Sequence, residues 1–124
     1  MKVYVYDRCS TCRKAIRFLD ERGLTYQLLP IREQPPTQAE FRLLMERGGY
    51  SLKQLFNVSG QDYRALNMKE RLVGLSESEA LDLLSGNGRL VKRPVLINLS
   101  SGLVGFSDEA WATLFDQLGN ADQS

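Results

Sequence analysis

Two cysteines three residues apart, Cys9 and Cys12, stand at the junction of two different hydrophobic patterns, and this junction limits the possible folds most sharply. Before it, Lys2-Val3-Tyr4-Val5-Tyr6 is β-branched and aromatic, the composition of a buried strand that ends at Asp7-Arg8. After it, Cys12, Ala15, Ile16 and Leu19 recur at helical spacing from Ser10 onward, with Gly23 as the stop. Thr25 to Leu29 reads as a second short strand closed by Pro30. A right-handed crossover through the intervening helix makes the two strands parallel.

The rest of the chain continues in the same mixed style. Pro35-Pro36-Thr37-Gln38-Ala39-Glu40 carries a capping box, Thr37 with Glu40, and predicts a helix that ends at Gly48-Gly49. Ser51 to Leu66 predicts one or two short helical pieces around Ser59-Gly60. Ser76-Glu77-Ser78-Glu79 repeats the capping box ahead of Leu81, Leu83 and Leu84, a third helix running to the glycines at 86 and 88. Val95 to Asn98 and Gly102 to Phe106 form a predicted hairpin. Ser107 caps a last helix with Asp108 and Glu109 at its positive end and Ala110, Trp111, Leu114, Phe115 and Leu118 on its buried side. Asn120 to Ser124 is expected to fray.

The chain of 124 residues fits one domain that can bury its own core. Its net charge of +1 is spread along the sequence, so it lacks the basic stripe that direct nucleic-acid binding needs. No apolar run approaches the ~20 residues that span a bilayer, and Met1 to Tyr6 is too short for a signal peptide, so a cytoplasmic protein is expected.

The cysteine pair admits several readings. A zinc site needs two further ligands, and with no histidine and no third cysteine the chain must recruit carboxylates or a second subunit. A structural disulfide closes too short a loop to gain much chain entropy, and the cytoplasm is reducing. Cys12 also fits as a small apolar core residue, which leaves Cys9 to work with an external thiol. In the redox reading, Cys9 lies by the free N–H groups that open a helix and is the nucleophile, with Arg8 and Arg13 adding modest positive potential. Cys12 lies in register with the apolar face, is less ionised, and resolves the mixed disulfide.

Tyr6-Asp7-Arg8-Cys9-Ser10-Thr11-Cys12-Arg13-Lys14-Ala15, then Lys92-Arg93-Pro94-Val95-Leu96-Ile97, then Val104-Gly105-Phe106-Ser107-Asp108-Glu109 resemble, in that order, the ArsC/Spx family of glutaredoxin-type arsenate reductases and Spx regulators. Pro35-Pro36-Thr37 resembles the start of that family's inserted helical region. The resemblance implies an α/β, thioredoxin-like fold in a single domain 1–124, with a core of 1–30 and 88–119 and a helical insertion at 35–87. It implies that Cys9 is the reactive cysteine and that Arg93, preceding a cis-proline at Pro94, faces it. A guanidinium there suits a thiolate, a glutathione carboxylate or an oxyanion. Ser10, Thr11 and Arg13 complete the expected thiol-binding set.

The expected function is thiol–disulfide exchange with no bound cofactor or metal, using glutathione or a thiol protein as partner. Two alternatives come with the family. Arsenate reductases grip their oxyanion with two further arginines, at positions where this chain has Asn57 and Gly105. Spx-like members share the Cys-x-x-Cys, sense oxidation by closing it and bind the RNA polymerase α subunit. This chain ends soon after its last helix, without the longer basic tail of that branch.

Overall fold

Alternation along the first strand decides the layering. In β1 (Lys2–Val5), Val3 points into one apolar cluster and Tyr4 into another on the opposite face. β3 (Val95–Ile97) alternates likewise, Leu96 joining Val3 while Val95 and Ile97 join Tyr4. The sheet is therefore covered on both faces. The computed structural model describes the backbone of residues 1–123 and the side chains of residues 1–117.

The four-stranded sheet has the order β2-β1-β3-β4, with β2 at Gln27–Pro30 and β4 at Gly102–Val104. β1 pairs in parallel with β2 (Val3 opposite Leu28) and antiparallel with β3 (Val3 opposite Leu96), and β3 pairs antiparallel with β4 (Leu96 opposite Leu103). One face carries α1 (Ser10–Glu21), which buries Ala15 and Leu19, and α6 (Asp108–Gln123), which buries Trp111. The other face carries α2 (Gln38–Glu46) and α5 (Glu77–Gly86), whose Phe41, Leu44, Leu81 and Leu84 pack with Tyr4 and Val95. This is the expected thioredoxin-like arrangement. No helix among the described residues is long and apolar enough to cross a membrane.

Between β2 and β3 the chain is helical: after α2 come a 3-10 turn (Lys53–Leu55), α3 (Gln61–Ala65), α4 (Met68–Gly74), α5 and a second 3-10 turn (Gly88–Leu90). Both capping boxes form. Thr37 Oγ1 accepts from the Glu40 N–H at 3.2 Å and Ser76 Oγ from the Glu79 N–H at 3.1 Å, with each glutamate reaching back to the cap's own N–H.

Several expectations shift. β1 stops at Val5, so Tyr6 lies outside it, and β2 starts at Gln27 and includes Pro30. Pro30 is tolerated because β2 is an edge strand, and the Ile31 N–H continues the pairing to Val5 O at 2.9 Å. The hairpin's second strand ends at Val104, because Gly105 turns to φ +73 and cannot extend it to Phe106. α4 is an additional helix that starts from Asn67 in the left-handed region, φ 52. Ala110 is exposed and Leu114 and Phe115 are half-buried, because Trp111 fills the contact with the sheet face; the side chain of Leu118 lies outside the described residues. The helix also continues through Asn120 to Gln123, where fraying was expected, while Ser124 lies outside the described residues.

Candidate active site

Cys9 is the N-cap of α1, extended at φ -97, ψ 119, and its N–H donates to Tyr6 O at 3.1 Å. The bond closes a tight turn between the strand end and the helix, so the thiol stands before the free N–H groups of the first helical turn. Cys12 is one turn on and only 1 % exposed, with the Tyr6 N–H directed at its sulfur at 3.5 Å.

The two thiols are pushed in opposite directions. Partial burial raises Cys9, but the Cys12 N–H, the Arg93 guanidinium, the Cys12 thiol and the Arg93 charge favour the thiolate and carry it below an ordinary cysteine. Burial raises Cys12; the Tyr6 N–H opposes this, yet the neighbouring Cys9 adds to it, and Cys12 is pushed up to about 12. One cysteine has its thiolate favoured and the other is held as a neutral thiol.

Cys9 opens into a cavity of about 410 Å³ that it shares with Thr11, Asn57, Lys92, Arg93 and Gly105. Its apolar wall includes Phe106 and Trp111, whose rings meet edge to face with centroids 5.1 Å apart. Trp111 also donates its indole N–H to Gly105 O at 3.0 Å, which fixes the backbone turn at the cavity wall. Gly105 combines φ +73 with a position where a Cβ would come within 3.1 Å of Lys92 Cε. An arginine here would be strained and would displace Lys92.

The structure thus brings Cys9, Thr11 and Arg93 to one cavity and sets Cys12 behind it. Pro94 is buried, and the Arg93–Pro94 bond is cis. Ser10 and Arg13 are exposed on α1, and Arg13 directs its Nε–H to Asp7 O at 3.4 Å, away from the cavity lining. Three residues near the site were not legible as such: Tyr6, Lys92 and Arg32. The Tyr6 ring carries the Arg93 guanidinium carbon 4.9 Å and the Arg32 guanidinium carbon 3.7 Å from its centroid. Only the position of Tyr6 at the end of the first strand hinted at this. Among the described residues no group of three or more His, Cys, Asp or Glu side chains could hold a metal ion.

Residues 4–114 match the ArsC family. The chain is 44% identical over 113 residues to the uncharacterized protein YusI of Bacillus subtilis, covering 88% of this chain and 96% of that one. It is similar to the crystal structure of a possible arsenate reductase from Streptococcus mutans, at 38% identity and a TM-score of 0.80 over 90% of this chain and 96% of that one. A more distant relative is the global transcriptional regulator Spx of Listeria monocytogenes, 22% identical over 107 residues, 86% of this chain and 80% of that one.

Proposed function

The chain belongs to the ArsC family, and from that premise we propose that it is a thiol–disulfide oxidoreductase in which Cys9 attacks and Cys12 resolves. The observation that carries this reading is the placement of two cysteines on one helical turn, Cys9 lining a cavity with its thiolate favoured and Cys12 buried behind it with its thiolate disfavoured. Attack by the Cys9 thiolate on a substrate disulfide forms a Cys9–substrate S–S bond and expels the other substrate sulfur as a thiolate. Cys12 then attacks the Cys9 sulfur; the Cys9–Cys12 bond forms, the second substrate thiolate leaves, and the Cys12 proton passes to it or to solvent. The substrate disulfide gains two electrons and the cysteine pair loses them. An external thiol, glutathione or a dithiol protein, restores the pair by the reverse exchange.

In this scheme Arg93 holds the attacking thiolate and the expelled one in turn, a role for which a permanently charged guanidinium is suited. The proposal needs no bound cofactor and places the protein in a reducing compartment, the cytoplasm, where a glutathione pool exists. The test is intact mass after treatment with oxidised glutathione. Wild type should lose two hydrogens by closing Cys9–Cys12, while Cys12→Ser should retain one glutathione on Cys9. If Cys9→Ser accepts glutathione as readily as Cys12→Ser, the assigned roles are wrong.

A second reading, a redox-responsive transcription regulator that binds the RNA polymerase α subunit, is favoured by the Spx relative. Co-purification of the α subunit with this chain, changed by oxidation, would support it; no association in either redox state would remove it. Arsenate as substrate is disfavoured by Asn57 and by the backbone at Gly105, since a dianion would be left with Arg93 alone of the family's three arginines.

A further inference from the structure

Arg93 faces two cavities. Besides the one that holds Cys9, a second of about 500 Å³ is lined by Arg32, Asn57, Asp62, Arg89 and Arg93, and it meets the first at Asn57 and Arg93. The exchange chemistry above uses neither Arg32 nor Arg89. Three guanidiniums face one carboxylate in this chamber, and that carboxylate, Asp62 Oδ2, already accepts from Asn87 Nδ2 at 3.0 Å. Like charges gathered this way repel one another, and the arrangement is favourable when an anion sits among them.

The chamber is constructed from three separated segments. Tyr6 supports two of the guanidiniums through its ring face, a contact that leaves their N–H groups free. The Nε atoms of Arg32 and Arg93 are both out of water and have no acceptor among the described residues. Gly88 supplies the third element: a Cβ there would overlap Ile31 O and stand 2.7 Å from Arg32 Cα, so only glycine lets the turn bearing Arg89 lie against the backbone of Arg32. Elsewhere a surface arginine such as Arg22 finds Asp116 at 3.3 Å. Arg32 and Arg89 have no such ion pair among the described residues.

We propose that this chamber binds the carboxylates of an acidic disulfide while its reacting sulfur lies at Cys9, so that the protein selects small anionic disulfides over neutral and cationic ones. The inference rests on the exchange reading and adds its substrate class. Arg93, common to both cavities, then links recognition of the acidic end to the sulfur chemistry, and the fork of each arginine suits a carboxylate.

The experiment compares single-turnover rates of the reduced full chain with three disulfides of differing charge: oxidised glutathione, 2-hydroxyethyl disulfide and cystamine. Wild type should react fastest with oxidised glutathione, and the ratio of its rate to that with 2-hydroxyethyl disulfide should fall about tenfold in Arg89→Gln and in Arg32→Gln, the loss of one charge-assisted contact. Arg89 is exposed, so Arg89→Gln keeps the test valid should the stacked Arg32 prove necessary for folding. A rate ratio unchanged in Arg89→Gln, with ordinary reaction at the neutral disulfide, overturns the chamber and leaves the exchange reading standing. Absence of reaction with every disulfide in wild type overturns both.

Discussion

Arg93 stabilises the Cys9 thiolate from the cavity side while the Cys12 N–H does so from the helix side, and only the first contribution can be removed by a side-chain substitution. Arg93→Met should therefore raise the Cys9 thiol toward the ordinary value of about 8.5 without abolishing its reactivity. The thiolate is the nucleophile, so alkylation of Cys9 by iodoacetamide should rise with pH through a midpoint below that value in wild type and through a higher midpoint in the variant. At pH values beneath both midpoints, the variant should react about tenfold more slowly for every pH unit that separates them. Equal midpoints would show that Arg93 contributes nothing and that the Cys12 N–H and thiol hold the thiolate between them. Cys12, held near 12, should stay unmodified throughout the neutral range while Cys9 reacts. Cys9, Cys12 and Arg93 were legible in the sequence because the first two share a helical turn and the third precedes a proline in a recognisable motif. Arg32 and Arg89 were not, since nothing local distinguishes them from solvated arginines. They become neighbours only through Tyr6 and Gly88, which act across the fold.

At the level of elements, the same contrast separates what local chemistry specifies from what packing specifies. Two helices announced themselves through capping boxes because Thr37 with Glu40 and Ser76 with Glu79 satisfy free N–H groups within four residues. α4 gave no such signal: it begins at Asn67 in a left-handed turn with no side-chain cap, and Met68 is its single buried residue. The two boxes also differ in reach. Glu40 accepts from the Tyr4 hydroxyl at 2.7 Å and pairs with Lys2 at 3.4 Å, which ties α2 to β1, whereas Glu79 is solvent-facing. Ser76→Ala should cost about 1 kcal/mol in urea unfolding, the value of a lost cap, and Glu40→Ala about 1–2 kcal/mol because a cap and a partly buried bond go together. The pH dependence follows from the Glu40 carboxyl. Partial burial raises it, but the Thr37 N–H, the Tyr4 hydroxyl and Lys2 outweigh that and hold it below the usual carboxylate range. A depressed folded value contributes stability above the unfolded one and loses it as pH falls through the folded one. Glu40→Gln should accordingly flatten the acid limb of the stability profile; an unaltered limb would show that Glu40 is not the group responsible.

For the whole molecule, the decisive contact is where the helical stretch returns to the sheet. β1 pairs with both its early neighbour β2 and the late β3, so the cysteine turn and the Arg93 segment are brought together by strand pairing across most of the chain. The segment between must begin beside Ile31 and end beside it again, and Gly88 is the point at which the two backbones meet. The sequence showed Gly86 and Gly88 alike as helix stops, but their surroundings are opposite. A Cβ at Gly86 meets nothing within 4 Å, whereas one at Gly88 overlaps Ile31 O. Gly86→Ala should therefore stabilise by about 0.4–1 kcal/mol, chiefly by restricting the unfolded chain. Gly88→Ala should destabilise by about 1–3 kcal/mol, because two backbones must move apart to admit one methyl group. Urea midpoints for both variants, measured with the cysteines reduced, provide the comparison. Opposite signs would establish that the return of the chain depends on backbone contact at Gly88, and equal shifts would show that the two glycines serve only to end a helix.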